Sequence, residues 1–161
     1  MAIEEAKKYL AEKGYEDRVM ELDHSSATVA EAAEALGCEE KQIAKTLSFL
    51  VKDTPILIVA AGDAKVDNKK YKGYFGVKAK MIPGTEVEEI IGHAPGGVCP
   101  FAIRPEVEVY LDESLKRFEI VYPAAGSANS AVRLNITELE ICAESKAWID
   151  VCKGWNSEEA E

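Results

Sequence analysis

Apolar positions recur at helical spacing over residues 2–13, where Ile3, Ala6, Tyr9 and Leu10 share a face and Gly14 ends the run. Residues 18–22 read as a short strand. Thr28-Val29-Ala30-Glu31 is a capping box that opens an alanine-rich helix, and Gly37 stops it. After a helical turn or two near 39–44 the pattern changes. Thr46-Leu47-Ser48-Phe49-Leu50-Val51 and the run 55–61 are apolar and β-rich, with Lys52-Asp53-Thr54 between them. The pair predicts an antiparallel hairpin in the middle of a sheet. A lysine-rich helix over 67–74 and a strand over 78–82 come next. Thr85-Glu86-Val87-Glu88 is a second capping box, opening a helix to about residue 91. Strands over 106–111, 118–122 and 132–134, a small polar loop over 124–130, a helix over 137–143 and a strand over 147–152 complete the pattern. Strands do not alternate regularly with long helices. The expectation is a mixed α/β fold with a largely antiparallel sheet wrapped by helices, not a doubly wound parallel one.

Composition adds bounds to this picture. The 161 residues, 47% hydrophobic and 30% charged, suit one globular domain over 1–155, with 156–161 as an acidic tail. The longest apolar run, 56–61, is strand-sized rather than membrane-spanning. Met1-Ala2-Ile3-Glu4-Glu5 lacks the basic-then-apolar layout of a signal peptide, so a cytoplasmic protein is expected. Cys38, Cys99, Cys142 and Cys152 include no C-x-x-C pair, and His24 and His93 are the only histidines. No zinc-ligand spacing results, and the expectation is free thiols, no metal and no cofactor.

Net charge is −10, which argues against a general nucleic-acid coat protein. The charge is unevenly spread. Residues 65–80 hold Lys65, Lys69, Lys70, Lys72, Lys78 and Lys80 with Asp67 as the one acid, giving +5 against −15 for the rest of the chain. Tyr71, Tyr74 and Phe75 lie among these lysines. Such a window either grips a phosphate backbone or an exposed base, or is a solvated face over core aromatics.

Candidate chemistry centres on Gly96-Gly97-Val98-Cys99-Pro100-Phe101. Paired glycines let backbone N–H groups approach a ligand oxygen, and Pro100 restrains the exit. The loop either holds an anion or polarises a carbonyl, or is a tight turn between elements. Lys45 sits in Ile43-Ala44-Lys45-Thr46-Leu47, where burial of its charge is costly. Either its stem snorkels to the surface or its ammonium faces a cleft and waits for an anion. Cys99 is either a nucleophile, with His93 six residues upstream, or a small pocket-lining residue, which is the favoured reading. Gly126-Ser127-Ala128-Asn129 either closes a pocket or joins two strands.

Four stretches together resemble the YbaK/EbsC family. They are 34–47, with its Ala-Leu-Gly and Gln-Ile-Ala-Lys-Thr-Leu; 60–67, Ala-Ala-Gly-Asp-Ala-Lys-Val-Asp; Gly96-Gly97-Val98-Cys99-Pro100; and Ala125-Gly126-Ser127 followed by Ala131-Val132-Arg133-Leu134. They stand in the family's order, from the Thr28 helix to Trp155. That family includes free-standing deacylases of mischarged aminoacyl-tRNA and the editing domain inserted in bacterial-type prolyl-tRNA synthetase. The resemblance implies a mixed α/β fold with a curved central sheet, surrounding helices and no metal. It implies that Lys45 anchors the phosphate side of the tRNA's terminal adenosine, and that amides of the 96–100 loop, Gly96 and Gly97 first, meet the reacting ester. It implies substrate contacts for His24, Val98, Cys99, Pro100, Gly126, Ser127 and Asn129. Several Cys-specific members carry a serine and an acid where this chain has Ala124 and Ala131, which leaves alanine, serine, threonine or a non-protein amino acid open.

The expected function is a trans-acting editing hydrolase of mischarged tRNA, prolyl-tRNA with a small wrong amino acid being a candidate. Prolyl-tRNA synthetase or an elongation factor is a candidate partner; no membrane partner is expected. The alternatives are a non-catalytic aminoacyl-tRNA or nucleotide-binding module, and a thiol hydrolase built on Cys99.

Overall fold

The computed structural model of the chain describes residues 2–22, 25 and 28–155. The 156–161 tail and His24 lie outside the described residues. In chain order the elements are α1 (Ala2–Glu12), β1 (Val19–Glu21), α2 (Val29–Leu36), β2 (Ile43–Val51), β3 (Thr54–Ala61), β4 (Lys65–Val66), α3 (Asn68–Phe75) and α4 (Gly84–Ile91). They continue with β5 (Glu108–Asp112), β6 (Ile120–Pro123), β7 (Ser130–Val132), β8 (Leu134–Asn135), α5 (Ile136–Ala143), β9 (Ala147–Ile149) and β10 (Cys152–Lys153).

The predicted hairpin is β2–β3. Its register, Val51 opposite Thr54, leaves Lys52 and Asp53 as a two-residue turn, and Lys52 takes the left-handed φ of 58° that such a turn needs. Around it a six-stranded sheet runs β8-β6-β2-β3-β5-β9 and curls into a half-barrel. The fold is mixed α/β, as expected, with a curved central sheet. That sheet is less antiparallel than the sequence suggested: β2–β6, β3–β5 and β5–β9 are parallel, while β2–β3 and β6–β8 are antiparallel. The reason lies in β3. Its uninterrupted apolar run is buried at every position after Thr54, as in strands covered on both faces and flanked by crossover partners. Two small antiparallel ladders, β1–β7 and β4–β10, lie outside this sheet.

Two boundaries differ from expectation. The 78–82 strand is reduced to one bridge, Phe49 opposite Met81, because Pro83 starts the next helix and ends the pairing. That helix, α4, begins at Gly84 with Pro83 as its N-cap, so Thr85 lies inside the helix and caps nothing. The Thr28 cap is present: its side chain accepts the Glu31 N–H at 3.1 Å.

Candidate functional site

Strand β2 has two different edges. β3 pairs with one edge along residues 44–51. On the other, β6 pairs with Ile43 and Ala44, and the 80–82 segment bonds Ser48 and Leu50 at 3.1 and 2.9 Å. Residues 45–47 fall between these partners. Ser48 and Leu50 turn their peptide groups to this edge, so by alternation Thr46 does too. A cavity of about 290 Å³ opens at the gap, with Lys45, Thr46 and Leu47 on one wall and Gly96 and Val98 on another. Helix α2 contributes Val29 and Ala32, and the 124–131 segment contributes Ala124 and Ala131.

Lys45 projects on the face of β2 that carries Ile43, which packs with Ala32 and Ala33 of α2. Its half-buried ammonium donates to the Ala64 carbonyl and lies 3.5 Å from the Gly62 carbonyl. Burial lowers its pKa from the ordinary lysine value; Asp63 nearby opposes this and Lys65 adds to it. The turn bearing those carbonyls is itself fixed. Asp63 receives two N–H bonds from Arg117, at 2.5 and 3.0 Å. Of the two alternatives for Lys45, the side chain is partly buried at a cleft rather than extended to bulk water.

The glycine loop contains a turn. The Gly97 N–H donates to the Ala94 carbonyl at 3.0 Å, with Pro95 and Gly96 between them and Gly96 at φ 92°, the Pro–Gly arrangement of a type II turn. The Gly97 amide is therefore occupied, which corrects its expected place beside Gly96 as a free donor. The N–H groups of Gly96 and Val98 have no partner among the described residues. Gly97 instead makes a close approach. A Cβ there would sit 2.7 Å from the Ser127 nitrogen and 2.8 Å from the Gly126 carbonyl carbon. Peptide backbone packs directly on peptide backbone, and only glycine permits it.

The second loop supports the site from behind. Ala124, Ser130 and Ala131 line the cavity, while Gly126, Ser127 and Asn129 do not. The Ser127 hydroxyl bonds Ser130 and Asn129, each at 2.9 Å. Asn129 ties the loop to Leu22, accepting its N–H at 2.6 Å and donating Nδ2 to its carbonyl at 3.2 Å. Pro100 is buried and borders a different hollow, with Tyr9 and Arg104.

Cys99 has no exposed surface. Burial pushes its thiol up to about 12, against hydrogen bonds from neighbouring backbone that favour the thiolate. His93 lies 3.5 Å from Cys99 Sγ, yet its Nε2 is 2.6 Å from the Phe101 carbonyl. A carbonyl only accepts, so Nε2 carries the proton and is committed there. Burial lowers the His93 pKa and keeps the ring neutral. The pair therefore props the loop and offers no activated thiolate.

Thr46 escaped the sequence reading. Its hydroxyl is buried without a partner among the described residues, and by alternation it points to the face of β2 opposite Lys45. The signal available was its place next to Lys45 in the same strand. Among the described residues no group of three or more His, Cys, Asp or Glu is placed to hold a metal, and no helix is long and apolar enough to cross a membrane.

Residues 23–141 match the aminoacyl-tRNA editing domain family. The chain belongs to that family. A relative from Bacillus subtilis (strain 168), named "Uncharacterized protein YwhH", is 51% identical over 156 residues, covering 96% of this chain and 99% of the relative. Another, from Enterococcus faecalis (strain ATCC 700802 / V583), is named "Putative Cys-tRNA(Pro)/Cys-tRNA(Cys) deacylase EbsC"; it is 30% identical and covers 70% of this chain and 68% of its own. A solved structure described as "a putative trans-editing enzyme for prolyl tRNA synthetase" superposes with a TM-score of 0.85 at 29% identity, covering 95% of this chain and 98% of that one. The family supports an aminoacyl-tRNA editing role.

Proposed function

We propose that the protein is a trans-acting editing hydrolase of the cytoplasm that cleaves the ester of a mischarged aminoacyl-tRNA, prolyl-tRNA with a small wrong amino acid being the first candidate. The observation that carries this reading is that Lys45 and the Gly96 end of the glycine loop wall one cavity. An aminoacyl ester is already activated, so its hydrolysis asks chiefly for positioning and charge stabilisation. Lys45 is the anchor for the phosphate side of the terminal adenosine. An ammonium has three donors, and two carbonyls leave one for an anion. The unengaged amides of Gly96 and Val98 steady the carbonyl oxygen as it gains charge. Gly97 acts as the spacer that seats the loop. Water attacks with help from the 2′-hydroxyl of the terminal ribose, and no protein nucleophile is required.

The walls favour a small side chain. Val29, Ala32, Ala124 and Ala131 line the cavity, and among the described residues Lys45 is its one charged wall residue. The name of the Enterococcus relative adds cysteine to the substrates worth trying.

The test is deacylation of tRNA-Pro charged with alanine, serine, threonine or cysteine. Release from one of them that vanishes in Lys45→Ala is the expected result. Absence of Lys45-dependent release across the panel overturns the proposal. Tight binding of these tRNAs with no turnover supports a non-catalytic binding module instead.

A further inference from the structure

Several cations elsewhere on the surface are tied to acids, Lys7 to Glu21, Arg18 to Glu138, Lys116 to Glu113 and Lys146 to Glu108, and within the basic window Lys70 is tied to Asp150. Lys69, Lys72 and Lys78 are exposed and have no such partner among the described residues. They line one hollow of about 410 Å³ together with Asn68 and Ala79, and no acid lines it. The local acid, Asp67, is spent on capping α3, accepting the N–H groups of Lys69 and Lys70. Nearby, Lys65 stands directly opposite Lys153 in the β4–β10 ladder, a like-charge pair that costs stability. A chain with 29 acids against 19 Lys and Arg has ample acids to neutralise these positions, and they are left unneutralised.

The helix bearing these lysines is firmly seated. Tyr71 is fully buried and lies 5.2 Å, centroid to centroid, from Phe49; Phe75 lies 5.2 Å from Tyr110. Of the three aromatics in the basic window, Tyr74 alone is exposed, at 50%. Tyr71 and Phe75 are thus the core anchors, and the lysines form the outer face together with Tyr74.

Two stretches of chain link this face to strand β2, which walls the cavity. Lys65 follows the turn whose carbonyls hold Lys45. Lys78 and Lys80 lead into the 80–82 segment that borders the β2 gap. We propose that the phosphate backbone of the tRNA acceptor stem lies along this lysine face while the 3′ end occupies the cavity. The inference rests on the functional reading above. A polyanion leaving the cavity must cross some part of the surface, and outside residues 65–80 the chain carries −15. The lysine face is the exit that attracts phosphate rather than repelling it.

The test uses the full chain and the triple variant Lys69→Gln, Lys72→Gln, Lys78→Gln. The control, Lys7→Gln, Lys116→Gln, Lys146→Gln, removes equal charge elsewhere. Binding of uncharged tRNA-Pro is followed by fluorescence anisotropy across a salt series. The face variant is expected to lower the slope of log Kd against log salt by about two to three, roughly one per phosphate contact. The control keeps the wild-type slope. In deacylation, the face variant raises KM for full-length aminoacyl-tRNA and leaves the aminoacyl ester of adenosine, which has no stem, unchanged. Equal slopes for the two triple variants, equal losses on both substrates, no tRNA binding by the wild type, or equal affinity for polyglutamate would each overturn the inference. Absence of deacylation with a normal difference in slopes would instead count against the hydrolase reading alone.

Discussion

Lys45 is half-buried with two carbonyls against its ammonium, whereas Lys69, Lys72 and Lys78 stand in solvent with no acid beside them. The first arrangement fixes a charge at one point and lowers its pKa. The second spreads charge over a face and leaves each side chain its rotamer freedom. A fixed charge specifies where one phosphate sits; a loose array sets how often a polyanion arrives and along which side. On the proposed reading the molecule separates geometry from capture, and each is open to attack without the other.

The largest effect is expected at the fixed charge. Lys45→Ala should raise the deacylation barrier by about 2.7–4 kcal/mol, a loss of roughly 10²–10³ in rate, as for deletion of a well-placed electrostatic contact. Single-turnover rates check this, and a loss confined to KM would break the distinction between anchor and array. Next comes Gly97→Ala. The added methyl meets backbone atoms that have no rotamer to change, so overpacking should cost about 1–3 kcal/mol of folding stability. Denaturant unfolding measures it, and a neutral result would mean that the two loops separate freely.

A smaller effect comes from pH. His93 is buried neutral with a lowered pKa, so the unfolded chain binds a proton below about pH 6.5 more readily than the folded one. Stability should hold above that pH and fall as pH drops below it; His93→Gln should flatten the fall. Urea midpoints at pH 7.5 and 5.5 give the comparison. The smallest effect is expected for Cys99→Ala. It should leave the deacylation rate within about twofold, because the thiol is buried and protonated. Strong loss with unchanged stability would restore the thiol as a reacting group.

The hairpin was legible because two apolar β-rich runs flank a short polar turn, a local signal. The parallel partners of β3 and β5 were not. They return from distant parts of the chain, and their register follows from coverage of both sheet faces rather than from local pattern. At the site, the glycine pair pointed to a close backbone approach, which Gly97 makes. Its partner is another loop, and a sequence does not say what a bare peptide will touch. Pro95-Gly96 carried the signal for the turn that consumes the Gly97 amide. Ser127 and Asn129 sit in the right loop but bond inward, a matter of side-chain direction. The aromatics among the lysines had two readings, and helical spacing placed Tyr71 and Phe75 inward.

Where Gly97 meets Gly126 and Ser127, no side chain intervenes. The spacing there is set by main-chain thickness, a quantity that mutation cannot adjust in small steps. On the proposed reading, a change of preferred amino acid falls to the cavity walls at Leu47, Ala124 and Ala131 and leaves this seam alone.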